Sequence, residues 1–296
     1  MIQIDLSSSG FFAEKISVPE VYRLTAAVYG WVSVDAYQRG TKLSECPDGK
    51  GRYRLYHRDK RIGRGFDLQF TGPKTVRAEL DFPAVHDDTE SFGEVIQIIC
   101  DRYKIKQLTD GSGKKQSLEE VLTLLEHLKQ KEESNFESYK SFLCSGSSGR
   151  KKTAVITLVS NPLYISIQAV SRMNASEFRN MLNEKQQNDY YMIPMYFQKP
   201  GEAGILMAYA LTEGVVSIIP KQVFFPAYQP LAADAEIPED KIIVNLVATA
   251  DGTGEVIGSV PAVRLFEQLH DYVIADYDEK CHVIRGLTEA EMRSFL

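Results

Sequence analysis

The chain has 296 residues, 44% of them apolar and 25% charged, with a formal net charge of -6. Such a composition belongs to an ordinary globular protein long enough for one elaborate domain or two smaller ones, and it excludes global disorder. The negative balance disfavours a non-specific binder of the nucleic-acid backbone, no apolar run is long enough to cross a bilayer, and Met1 to Asp5 lacks the basic and apolar regions of a secretory signal.

Taken in order, Ile2, Ile4 and Leu6 alternate with polar residues and predict a short opening strand. Ser17 with Glu20 forms a capping-box pattern, Pro19 falls in the first turn, and Val21, Leu24 and Val28 share a stripe, so a helix is expected near 18 to 29. Gly40 to Gly51 reads as a loop. Next comes an antiparallel meander. Its first strand puts Tyr53 and Leu55 on one face and Arg52, Arg54 and Tyr56 on the other, its second runs from Arg64 to Phe70, and its third runs from Thr75 to Phe82. His86 to Thr89 reads as a polar loop before a box at Ser91 and Glu94 that opens a helix near 91 to 102. Lys104 to Leu108 is a strand candidate running into the turn Asp110-Gly111-Ser112-Gly113. Ser117 with Glu120 then caps a helix whose buried stripe is Leu118, Val121, Leu122, Leu125 and Leu128.

Periodicity fades from Ser134 to Lys152, and the Gly/Ser-rich run from Cys144 to Lys152 is the best linker, which puts a domain boundary near 150. The second half opens with strands at Thr153 to Val159 and Tyr164 to Val170 around Asn161-Pro162. Asn174 and Glu177 start a short helix, and Tyr190 to Phe197 is an edge strand interrupted by Pro194. Gly204 to Leu211 and Val215 to Ile219 read as a hairpin around Thr212-Glu213-Gly214, and Ile242 to Ala248 as a further strand. A helix over 260 to 273 introduced by Ser259, a strand at His282 to Ile284, and a final helix boxed by Thr288 and Glu291 with a Leu287/Met292 staple complete the chain.

The expected class is α+β, with two similar-sized halves, 1–150 and 151–296, each an antiparallel or mixed sheet with helices packed on one face. A local echo links them. At an offset of 141 residues Asp110, Gly111, Gly113, Leu124, Glu126 and Leu128 match Asp251, Gly252, Gly254, Leu265, Glu267 and Leu269, which is compatible with an ancient duplication and equally with the limited vocabulary of turns and helix ends.

Two stretches are candidate binding surfaces. Arg52, Arg54, His57, Arg58 and Arg64 stand among aromatics that could stack on bases while the guanidiniums hold phosphate, although a solvated hairpin face explains the same residues and is favoured by the rule that charges stay outside. Tyr191 and Tyr196, with Phe225 and Tyr228 in a proline-bearing loop, would suit a partner groove. Gly111 to Lys115 lacks the spacing of a phosphate loop and reads as a tight turn. His86-Asp87-Asp88 has no distant partner pattern for a metal, and Cys46, Cys100, Cys144 and Cys281 have no paired spacing and fit reduced thiols. No catalytic residue, metal site or cofactor is assigned.

The order of Arg64-Gly65-Phe66-Asp67, the strand end Leu80 to Pro83 and the helix Phe92 to Cys100 resembles an uncharacterised family of cytoplasmic proteins from Gram-positive bacteria, described only as a domain of unknown function. The resemblance covers residues 50 to 105 and implies a bacterial, cytoplasmic protein without implying an activity. The leading expectation is a non-enzymatic binding or interaction protein, forming homo-oligomers or docking a protein partner through a strand edge or aromatic patch. The alternatives are a small-molecule enzyme with an interdomain cleft and, less favoured, a nucleic-acid binder through residues 50–64.

Overall fold

A computed structural model describes residues 1–9, 13–33, 51–59, 64–146, 153–156, 163–186, 195–197, 206–223, 238–249 and 253–296. It divides into two units, one of Met1–Lys152, Thr157–Ser160 and Ile167–Gln187, the other of Thr153–Ile156, Asn161–Ser166 and Asn188–Leu296. Residues 167 to 187 therefore belong with the first unit although they follow residue 150.

The first unit is built on a sheet of strands β1 (Ile2–Ser7), β2 (Tyr29–Ser33), β3 (Gly51–His57), β4 (Phe66–Gly72), β5 (Thr75–Leu80), β6 (Leu108–Asp110) and β7 (Lys115–Gln116), in the order β2-β3-β4-β5-β1-β6-β7. Every pairing in it is antiparallel. Alternation assigns the faces. Leu6, Tyr53, Leu55, Leu68, Phe70, Val76, Ala78 and Leu80 point into one core, while Arg52, Arg54, Gln69, Arg77 and Glu79 occupy the other face.

Helices α1 (Val18–Thr25) and α2 (His86–Tyr103) contribute Val21, Phe92, Val95, Ile96 and Ile99 to that core. Phe66 meets Phe92 edge to face at 5.6 Å, and Trp31 donates its indole N–H to Thr25 Oγ1 at 3.0 Å, so the buried polar edge of the ring is satisfied. The helices α3 (Leu118–Gln130), α4 (Glu132–Gly146), α5 (Ile167–Arg172) and α6 (Ala175–Gln186) complete the unit.

Helix starts show where local chemistry suffices. The Ser117/Glu120 box forms, with the Glu120 amide reaching Ser117 Oγ at 3.2 Å and the Ser117 amide reaching Glu120 Oε2 at 2.6 Å. Asn174 and Glu177 exchange equivalent bonds at 2.9 Å. Two expected boxes do not form. Glu20 is taken by Arg23 and Arg102, leaving Ser17 without a side-chain cap bond, and α1 ends at Thr25. Ser91 is buried inside α2, which starts at His86 rather than 91, so the expected polar loop is its first turn and carries Asp87 and Asp88 where the helix dipole favours negative charge. The 134–152 stretch also differs from expectation. Its residues through 146 form α4, held by Phe136 packing on Phe178 at 4.8 Å rather than by a periodic stripe.

The second unit contains β8 (Thr153–Ile156) paired with β9 (Leu163–Ser166), followed by β10 (Met195–Phe197), β11 (Leu206–Thr212), β12 (Ser217–Pro220), β13 (Ile242–Ala248) and β14 (Glu255–Pro261). Helix α7 (Ala262–Gln268), strands β15 (Val273–Asp276) and β16 (Cys281–Ile284), and helix α8 (Glu289–Arg293) end the chain. Among the described residues there is a mixed sheet β10-β11-β13-β14, whose β11 and β13 are parallel, and an antiparallel sheet β12-β16-β15. The expected 204–219 hairpin therefore does not exist. Val215 does turn back to Thr212 with an N–H bond of 3.2 Å, but β12 leaves β11 and pairs with β16.

Other boundaries also moved: β9 stops at Ser166 where a longer strand is predicted, and the helix expected over 260–273 starts at Ala262, because β14 runs through Ser259 (bonded to Asn245 at 2.7 Å) to Pro261, and ends as a 3-10 turn over Leu269–Tyr272. The closing box and staple do form, with Leu287 and Met292 buried. Asp278 gathers the amides of Tyr164, Lys280 and Cys281, each at 2.8 Å, tying β9 to the β15–β16 turn.

Backbone crosses backbone at Gly286. A Cβ there would stand 2.4 Å from the Gly214 carbonyl oxygen, and Gly214 itself has φ +72°. Gly286→Ala is expected to cost about 1–3 kcal/mol through overpacking against an atom that cannot swing away, seen as a lower urea midpoint with an unchanged slope. An unchanged midpoint would show that the two segments can separate freely.

Candidate functional site

The basic strand is neutralised from within its own sheet. Asp67 lies opposite Arg54 in the ladder and is only 2% exposed. Arg54 donates to its two oxygens from Nε at 2.7 Å and Nη2 at 2.9 Å; Arg52 donates from Nε at 2.9 Å and also reaches Glu79 at 3.1 Å. One strand away Arg77 forks onto Asp5 at 2.8 and 3.1 Å. Of the other sequence candidates, Arg58 donates to the Ala26 carbonyl at 3.2 Å, and His57 packs edge-on to Tyr29 and accepts the Asp59 amide. These side chains serve cross-strand pairing first, which reduces the positive field open to a phosphate.

Arg64 belongs to a different assembly. Its Nη1 donates to the Phe82 carbonyl at 2.7 Å, beside the cis Phe82–Pro83 peptide, and its own amide and that of Gly65 both bond Asp88, each at 3.0 Å. Asp88 is completely buried. Burial raises its carboxyl from the ordinary 3.8 to about 6, against the two amides and the Arg64 guanidinium, which favour the charged form.

Next to this anchor is a pocket lined by Phe82 to His86, the end of α3, the start of α4 and one face of α6. His86 Nε2 stands 3.1 Å from Glu132 Oε2, and Arg179 Nη1 reaches the two Glu132 oxygens at 2.7 and 2.9 Å. Lys129, on the same rim, pairs with Glu90 at 3.0 Å and Glu126 at 2.7 Å. The walls are apolar. Thr89 supplies the one hydroxyl of the lining, and it already donates to the Val85 carbonyl at 3.1 Å. The pocket thus combines a charged rim with apolar walls.

A second charged group lies in the other unit, where His282 Nδ1 meets Asp276 Oδ1 at 2.7 Å, Lys221 Nζ meets the same oxygen at 2.8 Å, and the His270 ring lies 6.0 Å from that of His282. The Lys221 ammonium, more than His282, holds the Asp276 carboxyl below the ordinary range. Among the described residues no three His, Cys, Asp or Glu side chains converge as metal ligands. Burial pushes the Cys100 thiol up to about 12 and raises that of Cys281, so neither supplies a thiolate at neutral pH.

The turn at Asp110 is a tight turn, as its sequence indicates. One carboxylate oxygen takes the Ser112 amide and hydroxyl and the Lys114 amide, and Gly113 has φ +86°. The aromatic candidates Tyr191, Phe225 and Tyr228 lie outside the described residues; Tyr196 falls in β10, with its side chain outside them. Sequence reading missed Glu132 and Arg179. The available hint was the acidic pair Glu132-Glu133, a helix-start signal in a stretch without apolar periodicity.

Two exposed apolar side chains lie on terminal strands of separate sheets in the second unit. Val256 on β14 is 56% exposed and Ile274 on β15 is 58% exposed. The side chain of Leu296, also half-exposed, packs on Gly258 of β14, where a Cβ would meet it. In the sheets of the described residues β14 and β15 are both terminal strands. No helix among the described residues is long and apolar enough to cross a membrane.

One family model, described as a domain of unknown function (DUF4299), matches residues 7–295. No curated protein and no solved structure matches the chain.

Proposed function

Because the chain belongs to the DUF4299 family, whose description carries no activity, we propose its role from its own surfaces: a non-enzymatic, self-associating binding protein of the bacterial cytoplasm. The observation that carries this reading is Val256, an exposed apolar side chain on β14, which is a terminal strand of its sheet among the described residues and which a second β14 can cover. An isologous contact repeats one patch on both copies, so a single strand supplies both halves of the interface. Burial of Cys100 and Cys281 removes two potential thiolate nucleophiles, which favours binding over thiol catalysis at those residues. The internally paired arginines favour a protein over a nucleic-acid partner, and the bacterial cytoplasm follows from the resemblance carried by residues 50 to 105.

The test is sedimentation equilibrium of the native protein and Val256→Lys. Val256 is too exposed for the change to move stability by more than about 0.5 kcal/mol, so the variant reports on association. The native chain is expected to show a concentration-dependent dimer that Val256→Lys abolishes. A monomer at every concentration, or a dimer indifferent to the substitution, removes β14 as the contact.

A further inference from the structure

We draw no further inference here: the strongest candidate, the sheet face on which Ile243 and Val247 of β13 lie beside Val256 of β14, belongs to the surface already proposed for self-association, and nothing in the structure shows what covers it.

Discussion

Asp88→Ala should destabilise the protein by about 2–6 kcal/mol at pH 5, because it strands the amides of Arg64 and Gly65 in a buried site and each unmet donor costs about 1–3 kcal/mol. The loss should shrink as pH rises. The folded-state carboxyl titrates at about 6, above its ordinary 3.8, so its stabilising contribution is complete below 3.8 and is lost as pH rises through 6. The interval corresponds to roughly 3 kcal/mol for a fully buried group. Urea unfolding of native and variant protein at pH 5 and pH 8 provides the comparison, and a difference identical at the two pH values would show that Asp88 keeps one protonation state throughout. Glu20 and Glu291 act in the opposite direction. Each is held down to about 2, chiefly by bonds from Arg23 and Arg285 respectively, so their contribution is present above 4.5 and fails only in acid below the chosen window.

Asp67→Ala is the second large effect, at about 3 kcal/mol. It removes the acceptor shared by Arg52 and Arg54 on the sheet, and breaking a buried pair leaves charge without compensation. The figure stays at the low end for such pairs because the Arg52 side chain is 38% exposed and keeps Glu79. Arg54→Ala should cost more than Arg52→Ala, since the Arg54 side chain is 13% exposed and grips both Asp67 oxygens. A double-mutant cycle between Asp67→Ala and Arg54→Ala checks the origin of the effect. Additive losses would mean that the pair contributes nothing beyond its separate packing.

Much of the first unit was legible because its elements follow local rules. The meander from β3 to β5 alternates cleanly, the Ser117 box states its own helix start, and Asp110-Gly111 states its turn. Failures occurred where a distant partner outbid a local one. Glu20 prefers two guanidiniums to the Ser17 amide, and α2 begins at His86 with its Asp88 fastened to the Arg64 and Gly65 amides just ahead of β4, more than twenty residues earlier in the chain. The same reason hid most of the candidate site. Arg64 and His86 stood out by residue type, whereas Glu132 and Arg179 become neighbours only when α4 and α6 pack. The α+β class survived these misses because it depends on alternation and turn chemistry more than on any boundary.

The strand order of the first unit also bears on how the chain is made. Strand β1 is synthesised before the other strands of its sheet, yet its two neighbours are β5 and β6, so its edges wait until residue 80 and then residue 110 have been made. During that interval the β3–β5 meander can close from local contacts alone, while β1 keeps Ile4 and Leu6 uncovered. A bulky segment fused next to β1 would therefore burden a strand that pairs late, between β5 and β6.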